Sequence, residues 1–248
     1  MAELYDSIGS GYATRRRPDP RIAQRLRACL GSSCRSVVNV GAGAGSYEPD
    51  DVPVVAVEPS RAMIEQRRSR QRLVQARAEA LPFRDATFDA AMAVLTTHHW
   101  TGLATGLDEC ARTARHRVVC LTWDPDAPGF WLVDDYVPEL LAHDRRVFPP
   151  LSAYARAWGR IDVVPVPIPA DCIDGFLGAY WQRPTAYLDA TVRSAMSSFA
   201  RVPDVAARMD RLANDLRSGA WQRRHGHLLA HAELDLGYRL VVADLAAR

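Results

Sequence analysis

A short apolar strand that runs directly into a glycine-rich turn is the feature that most constrains the fold of this 248-residue chain. Residues 36–40 form the predicted strand, and Gly41-Ala-Gly-Ala-Gly45 follows it without a spacer. Glycine adopts positive φ easily, and because it has no side chain it lets a ligand approach the backbone closely. A turn of this kind at the carboxyl end of a strand therefore predicts an α/β fold built around a bound ligand.

Strands and helices alternate through the first half of the chain. Further strands are predicted at 52–57, 73–75, 88–95 and 117–123, and helices at 21–30, 61–70 and 103–114. This alternation favours βαβ units and a mostly parallel sheet that is covered by helices on both faces. The segment 88–95 is apolar on both of its faces, which predicts a central strand.

The second half of the chain has a different pattern. Predicted elements are helices at 132–143 and 151–158, a proline-bearing edge or irregular strand at 163–168, several aromatic-rich helices from 171 to about 231, and a strand at 238–243. We therefore predict three parts: an N-terminal cap and α/β core at 1–170, a helical insertion or lid at 171–231, and a closing strand of the core at 232–248.

Charge and hydropathy exclude several classes of protein. The 31 basic residues, all of them arginine, nearly balance the 29 acidic ones, whereas a general nucleic-acid binder usually has a large positive excess. No window approaches the ~20 continuous apolar residues of a membrane span, and the N-terminus has no apolar stretch of signal-peptide length. We expect a cytoplasmic protein that binds neither nucleic acid nor a membrane.

Cysteines and histidines do not predict a metal centre. The five cysteines are scattered, and no two have Cys-x-x-Cys spacing, which argues against a disulfide framework or a thiolate zinc site. His225, His227 and His231 have metal-like spacing, but no evident set of cysteines or acids completes a site around them. We expect no bound metal.

Glycine spacing and the next acidic residue separate two kinds of cofactor. The dinucleotide fingerprint is Gly-x-Gly-x-x-Gly, whereas Gly41, Gly43 and Gly45 form Gly-x-Gly-x-Gly. Glu58 closes the next predicted strand, where a carboxylate can accept hydrogen bonds from both hydroxyls of a ribose. These residues favour a ribose-bearing ligand other than a dinucleotide, with a nicotinamide or other nucleotide site as the alternative.

Three motifs, in order along the chain, resemble those of class I S-adenosylmethionine-dependent methyltransferases of the small-molecule, bacterial natural-product type. They are Val-Asn-Val-Gly-Ala-Gly-Ala-Gly at 38–45, Val-Glu-Pro-Ser at 57–60, and Ala-Glu-Ala-Leu-Pro-Phe at 78–83 followed by Phe88-Asp89. The second half matches only through Gly-Tyr-Arg-Leu-Val-Val at 237–242. The resemblance implies a Rossmann-like, doubly wound sheet with an antiparallel last strand, here with a helical insertion near the C-terminus.

The resemblance also implies S-adenosylmethionine as the cofactor and a set of residues that hold it. On the sheet side these are Gly41, Ala42, Gly43, Gly45, Glu58, Pro59, Met63, Ala78, Glu79 and Thr96. In the N-terminal cap, Tyr12 is expected to lie against the sulfonium and Arg16 to hold the methionyl carboxylate. Two positions depart from the family pattern: Asn39 stands where an acid is usual, and Arg77 where an aspartate is common.

The fourth predicted strand ends in Thr-Thr-His-His-Trp at 96–100. Ligands of open α/β sheets bind beyond the carboxyl ends of the strands, so His98 and His99 are expected near the reacting methyl group. Histidine titrates near neutral pH and suits a general base. Adjacent residues on an extended strand cannot both point at one site, so His99 is favoured over His98. The alternative is that both orient the loop or pack beneath Trp100.

Aromatic residues outside the predicted core suggest how an acceptor binds. Tyr5, Asp174, Tyr180 and Trp181 are the substrate candidates, since aromatic side chains shape pockets for flat molecules. The alternative is that the aromatic residues form the insertion's own core. We predict an enzyme that transfers a methyl group from S-adenosylmethionine to O, N or C of a small aromatic or apolar metabolite. A nucleotide-dependent oxidoreductase and a non-catalytic S-adenosylmethionine-binding protein are the alternatives, and the sequence does not indicate an oligomeric state.

Overall fold

Seven strands form the main sheet of the computed structural model, which describes residues 16–67 and 69–245. Together with the two strands of a separate pair, the described strands are β1 (Val37–Val40), β2 (Val54–Val57), β3 (Arg72–Val74), β4 (Phe88–Val94), β5 (Ala114–Trp123), β6 (Asp162–Pro165), β7 (Ile168–Pro169), β8 (Glu233–Leu234) and β9 (Tyr238–Asp244). The sheet order is β3-β2-β1-β4-β5-β9-β6, with β7 and β8 paired separately. The strands from β3 to β5 are parallel, and β9 is antiparallel to both of its neighbours. The predicted fold class is confirmed.

Helices cover both faces of this sheet and fill the C-terminal region. They are α1 (Pro20–Leu30), α2 (Arg61–Glu65), α3 (Leu103–Thr113), α4 (Pro138–Val147), α5 (Leu151–Trp158), α6 (Ala190–Arg193), α7 (Val205–Arg217) and α8 (Ala220–His225). A π-helical turn lies at Leu132–Tyr136, and short 3-10 helices lie at Thr97–His99, Leu177–Tyr180, Pro184–Leu188, Ser197–Arg201 and Gly226–Ala230. Helix α1 begins where Asp19 accepts a hydrogen bond from the backbone nitrogen of Arg21 (3.0 Å) and Pro20 takes the first helical position.

Alternating residues of the strands supply two hydrophobic cores. On β5, Val119 and Leu121 belong to one core, while Val118 and Cys120 belong to the other. The first core continues without a break into the C-terminal helical region, where Trp221 is buried together with residues of the sheet. Because the two regions share one core, the helical region is fixed against the sheet. The division at residues 171 and 231 is still a prediction.

Several boundaries differ from the sequence-based expectation for local physical reasons. Strand β4 ends at Val94 because Leu95 has φ of 49°, which turns the chain out of the sheet. The predicted helix at 132–143 is divided before Pro138, since proline lacks the N–H that an interior helical position requires. The predicted helix at 61–70 ends at Glu65, and the chain then brings Arg67 inward to the carboxylate of Glu48.

No helix within the described ranges is long and apolar enough to cross a membrane.

Candidate active site

A cavity of about 190 Å³ lies at the carboxyl ends of β1, β2 and β4. It brings together most of the residues that the motifs predicted for the cofactor: Arg16, Gly41, Ala42, Gly43, Glu58, Pro59, Met63, Ala78, Glu79 and Thr96. Gly45 is not among the residues that line it, and Tyr12 lies outside the described residues. Asn39, Arg77 and Trp100 complete much of the wall.

The glycine turn is held tightly between β2 and β4. The backbone nitrogens of Gly41 and Ala42 both donate to the carbonyl of Val57, at 2.8 and 2.9 Å. Gly41 has φ of +71°, and a Cβ placed on it would lie 2.2 Å from Oγ1 of Thr96. Only glycine fits there, because any side chain would be strained by the backbone angle and would overlap the threonine.

Glu58 presents a carboxylate of fixed orientation at the end of β2. Its Oε2 accepts from the backbone nitrogen of Gly43 (2.8 Å) and its Oε1 from that of Ser60 (2.9 Å). Burial raises the pKa of Glu58, while the two backbone hydrogen bonds act in the opposite direction. A carboxylate has about four lone-pair sites, so both oxygens can still accept hydrogen bonds from a ligand in the cavity.

Glu79 closes the far side of the cavity from the segment after β3. Its Oε1 accepts from Oγ1 of Thr101 (3.0 Å) and from the backbone nitrogen of Gly102 (2.9 Å). The pKa of Glu79 is lowered: burial acts to raise it, but these hydrogen bonds outweigh burial. The carboxylate thus stays charged and ties the loop that carries Trp100 to the segment after β3.

A second, smaller cavity of about 70 Å³ lies between the end of β4 and the C-terminal helical region. Its wall consists of Arg16, Leu95, His98, His99, Trp123, Asp144, Phe148, Phe176, Leu177, Met196, Ser197, Ser198 and Tyr238. Arg16, Leu95 and His99 line both cavities. The two cavities therefore meet at these three residues.

The two histidines lie on a 3-10 turn rather than on a strand. The premise that an extended strand separates their side chains is wrong, since β4 ends at Val94 and the ring centroids of His98 and His99 are 3.8 Å apart. His98 stacks on Phe148, with ring centroids 4.0 Å apart, and lines the smaller cavity. His99 also reaches the larger one.

Arg16 is anchored by a carboxylate beneath the cavity wall. Its Nε donates to Oδ1 of Asp174 at 2.9 Å, and Oδ2 of Asp174 accepts from the hydroxyl of Tyr47 at 2.7 Å. The side chain of Asp174 is fully buried. Burial, followed by the charge of Asp174, raises the pKa of Tyr47, so this phenol stays a hydrogen-bond donor. Asp174, predicted to contact the substrate, instead lies behind Arg16 and outside the described walls of both cavities.

Tyr180 and Trp181, the other described substrate candidates, lie among the residues of the helical region. Nε1 of Trp181 donates to the carbonyl of Ile168 at 2.9 Å, and its own carbonyl accepts from Nε1 of Trp131 at 2.8 Å. The guanidinium of Arg183 lies over the ring of Tyr180, 4.8 Å from its centroid. Neither residue belongs to the described wall of either cavity. Tyr5 lies outside the described residues.

Residues that sequence reasoning missed come from elements far apart in the chain. Asp144 and Phe148 reach the smaller cavity from α4 and its C-terminal end, and Ser197 and Ser198 from a 3-10 helix. None belongs to a local motif, so no signal in the sequence marks them.

Among the described residues, no group of three or more histidines, cysteines and acids is placed to hold a metal. Nε2 of His225 is hydrogen-bonded to Oδ2 of Asp135 at 2.8 Å.

Comparison with known proteins shows the family. Residues 38–122 match the sequence family described as a methyltransferase domain. A search of curated proteins finds none that matches. A solved structure from Anabaena variabilis, assigned as a methyltransferase from an antibiotic biosynthesis pathway, is 32% identical, with a TM-score of 0.85, and the match covers 93% of this chain and 99% of that one.

Two more distant structures share the fold alone. The YcgJ protein of Bacillus subtilis is 17% identical with a TM-score of 0.53, covering 91% of this chain and 98% of that one. A protein of Bacillus halodurans, also assigned as a methyltransferase, is 14% identical with a TM-score of 0.51, covering 90% and 97%. The near full-length match at 32% identity, the methyltransferase domain and the cavity at the glycine turn lead to one conclusion: the chain belongs to the S-adenosylmethionine-dependent methyltransferases, enzymes whose methyl donor is S-adenosylmethionine.

Proposed function

We propose that this enzyme methylates an O, N or C atom of a small aromatic or apolar metabolite that binds in the smaller cavity, with His99 as general base where the acceptor must lose a proton. The observation that carries this proposal is that His99, Leu95 and Arg16 line both cavities. Two compartments that meet at a titratable side chain suit a reaction in which a donor and an acceptor must be brought into contact.

The residues of the larger cavity fit the cofactor. Glu58 has two fixed carboxylate oxygens for the ribose hydroxyls, and Arg16 supplies a cation for the methionyl carboxylate. The glycine turn keeps a side chain out of the space beside Thr96. Ala78, Glu79 and Met63 complete the wall at the adenine end. When bound, the cofactor supplies a methyl group made electrophilic by its attachment to positively charged sulfur.

The mixed wall of the smaller cavity favours a small aromatic acceptor that also carries polar atoms. Phe148, Phe176 and Trp123 provide aromatic surface, whereas Asp144 and His98 provide polar atoms. Its volume of about 70 Å³ suits a small acceptor group. In this arrangement the chain holds the acceptor atom against the methyl group, and alignment of this kind supplies much of the rate of a displacement reaction.

His99→Gln tests the role of the base. With an acceptor found by mass spectrometry among small phenols, indoles and amines, we expect kcat to fall about 10²- to 10⁴-fold, the usual contribution of a general base. We expect the affinity for S-adenosylhomocysteine, measured by calorimetry, to change by less than about threefold, since His99 lies at the edge of the cofactor cavity. Carbon acceptors that lose no proton before the transfer step should be affected least.

His116→Gln is the matched control because His116 is exposed on β5, away from both cavities. It should leave both kcat and affinity unchanged. Full turnover by His99→Gln with an O–H or N–H acceptor would refute the assignment of the base. Binding of S-adenosylhomocysteine by the parent protein, without methylated product from any of these acceptors, would instead overturn the proposed class of acceptor.

A further inference from the structure

Glu48 and Arg67 form a buried ion pair next to the glycine turn. Neither residue lines the larger cavity. Nη2 of Arg67 donates to both carboxylate oxygens of Glu48 at 2.9 Å. The side chains are only 5% and 3% exposed, respectively. Oε2 of Glu48 also accepts from Oγ of Ser69 at 2.6 Å. Burying two charges is expensive unless their geometry and further hydrogen bonds compensate, so this pair calls for a reason beyond stability.

Arg67 attaches the pair to the glycine turn. Nη1 of Arg67 donates to the carbonyl of Gly43 at 3.2 Å. A Cβ on Gly45 would lie 3.3 Å from the same Nη1 and 3.1 Å from Cβ of Ser69. Gly45, the third glycine of the motif, therefore leaves space for Arg67. This role is consistent with the absence of Gly45 from the wall of the larger cavity.

The pair also fixes the amide of Asn39. Nδ2 of Asn39 donates to Oε1 of Glu48 at 3.1 Å. A carboxylate accepts hydrogen bonds and does not donate them, so the amino side of the amide must face Glu48. The opposite atom, Oδ1, has no hydrogen-bond partner among the described residues, although Asn39 is only 1% exposed and lines the larger cavity. A buried acceptor without a partner is unfavourable, which indicates that a ligand donor satisfies it.

The chemistry of the cofactor identifies that donor. Its amino-acid end carries a carboxylate and an ammonium on one carbon atom. Arg16 lines the same cavity and suits the carboxylate, and Glu58 at the end of β2 suits the ribose. Two donor groups are then left, the adenine amino group and the ammonium. The ammonium is charged and shares a carbon atom with the carboxylate, so it is the donor that we match to the buried Oδ1 of Asn39.

We propose that Glu48 and Arg67 are positioning residues for cofactor binding: Glu48 turns Oδ1 of Asn39 toward the cavity to accept from the cofactor ammonium, and Arg67 holds the carbonyl of Gly43. This inference rests on the proposed placement of the cofactor in the larger cavity.

Calorimetry with two ligands tests it. S-adenosylhomocysteine carries the ammonium, whereas 5′-methylthioadenosine has the same adenine, ribose and sulfur without the amino-acid end. Asn39→Leu should weaken binding of S-adenosylhomocysteine about tenfold or more and change that of 5′-methylthioadenosine by less than threefold. The double variant Glu48→Leu/Arg67→Met replaces the pair with apolar residues, which is often neutral for stability. It should show the same ligand-selective loss with little change in melting temperature.

A charge relocation provides the positive test. Asn39→Asp alone places two buried carboxylates against each other and should lower both the melting temperature and the affinity for S-adenosylhomocysteine. Adding Glu48→Gln should restore that affinity to within about threefold of the parent, because the new amide at position 48 then donates to the new carboxylate at position 39. Purely additive effects of the two substitutions would overturn the proposal.

Two further variants distinguish failure of the positioning role from failure of the proposed cofactor placement. The exposed pair Arg61 and Glu65 is the control, since Arg61→Met/Glu65→Leu should leave both affinities unchanged. Glu58→Ala should weaken both ligands equally, because both contain the ribose. If it does so while Asn39→Leu weakens both ligands equally or neither, the positioning role is refuted and the cofactor placement stands. If Glu58→Ala changes neither affinity, the cofactor placement fails and the positioning role fails with it.

Discussion

Gly41→Ala is expected to abolish measurable binding of S-adenosylhomocysteine and to destabilise the protein. The new Cβ would lie 2.2 Å from Oγ1 and 2.9 Å from Cγ2 of Thr96. Both atoms of Thr96 would have to move, and Thr96 lies two residues after the end of the neighbouring strand β4. A left-handed backbone costs a residue with a side chain about 1–2 kcal/mol, and overpacking costs about 1–3 kcal/mol more.

We therefore expect the free energy of unfolding to fall by about 2–5 kcal/mol and the affinity to fall at least 100-fold. Denaturant unfolding and calorimetry measure the two effects. Gly219→Ala is the matched control, because Gly219 has a left-handed backbone with φ of +73° and a new Cβ would meet only the flexible end of the Arg223 side chain, at 3.2 Å. It should show the backbone cost alone, with unchanged affinity. Affinity for S-adenosylhomocysteine in Gly41→Ala equal to that of the parent would contradict the cofactor placement beside Thr96.

Asp174→Ala should give the second large effect, although Asp174 lies outside the described walls of both cavities. The change removes the ion-pair partner of Arg16 and the acceptor of the buried Tyr47 hydroxyl. Breaking a buried ion pair by removing one partner typically costs about 3–5 kcal/mol. We expect a loss of that order in denaturant unfolding. Affinity for S-adenosylhomocysteine should also fall, since Arg16 is no longer held where the two cavities meet.

Asp171→Ala is the control for this substitution. Asp171 lies three residues earlier and also pairs with an arginine, Arg21, but its side chain is 81% exposed. Exposed ion pairs contribute little to stability because solvent screens them, so stability and affinity should stay close to those of the parent. Equal behaviour of the two variants would show that Asp174 does not anchor Arg16.

The parts of the site that could be predicted from sequence are those formed by consecutive residues. Gly41, Gly43 and Glu58 follow directly after strands, and their chemistry at the carboxyl end of a parallel sheet is the same wherever such a sheet occurs. The mostly parallel sheet follows from the alternation of strands and helices, whereas the antiparallel β9 was expected only from the resemblance to the methyltransferases. Local sequence therefore predicted most of the residues that line the larger cavity.

The parts that could not be predicted depend on tertiary contacts. Leu95 adopts positive φ, which nothing in a leucine side chain signals, and that angle places His98 and His99 on one turn. Glu48 and Arg67 belong to no motif in the sequence, yet they pair in the interior.

Trp181 illustrates a second limit of sequence reasoning. An aromatic residue suits a substrate pocket and a hydrophobic core equally well, so the sequence around Trp181 does not distinguish these two roles. Its burial against Ile168 and Trp131 was decided by the packing of the helical region on the sheet. The same packing creates the smaller cavity, which draws Asp144 and Ser197 from separate elements.

A crystal structure of the complex with S-adenosylhomocysteine tests the central claim most directly, namely that the larger cavity holds the methyl donor and the smaller one the acceptor. We predict the ribose hydroxyls on Glu58, the amino-acid end beside Arg16 and Asn39, and the sulfur facing the opening beside His99 where the cavities meet. A sulfur atom directed away from the smaller cavity, or a ligand bound without contact to Glu58, would contradict the account.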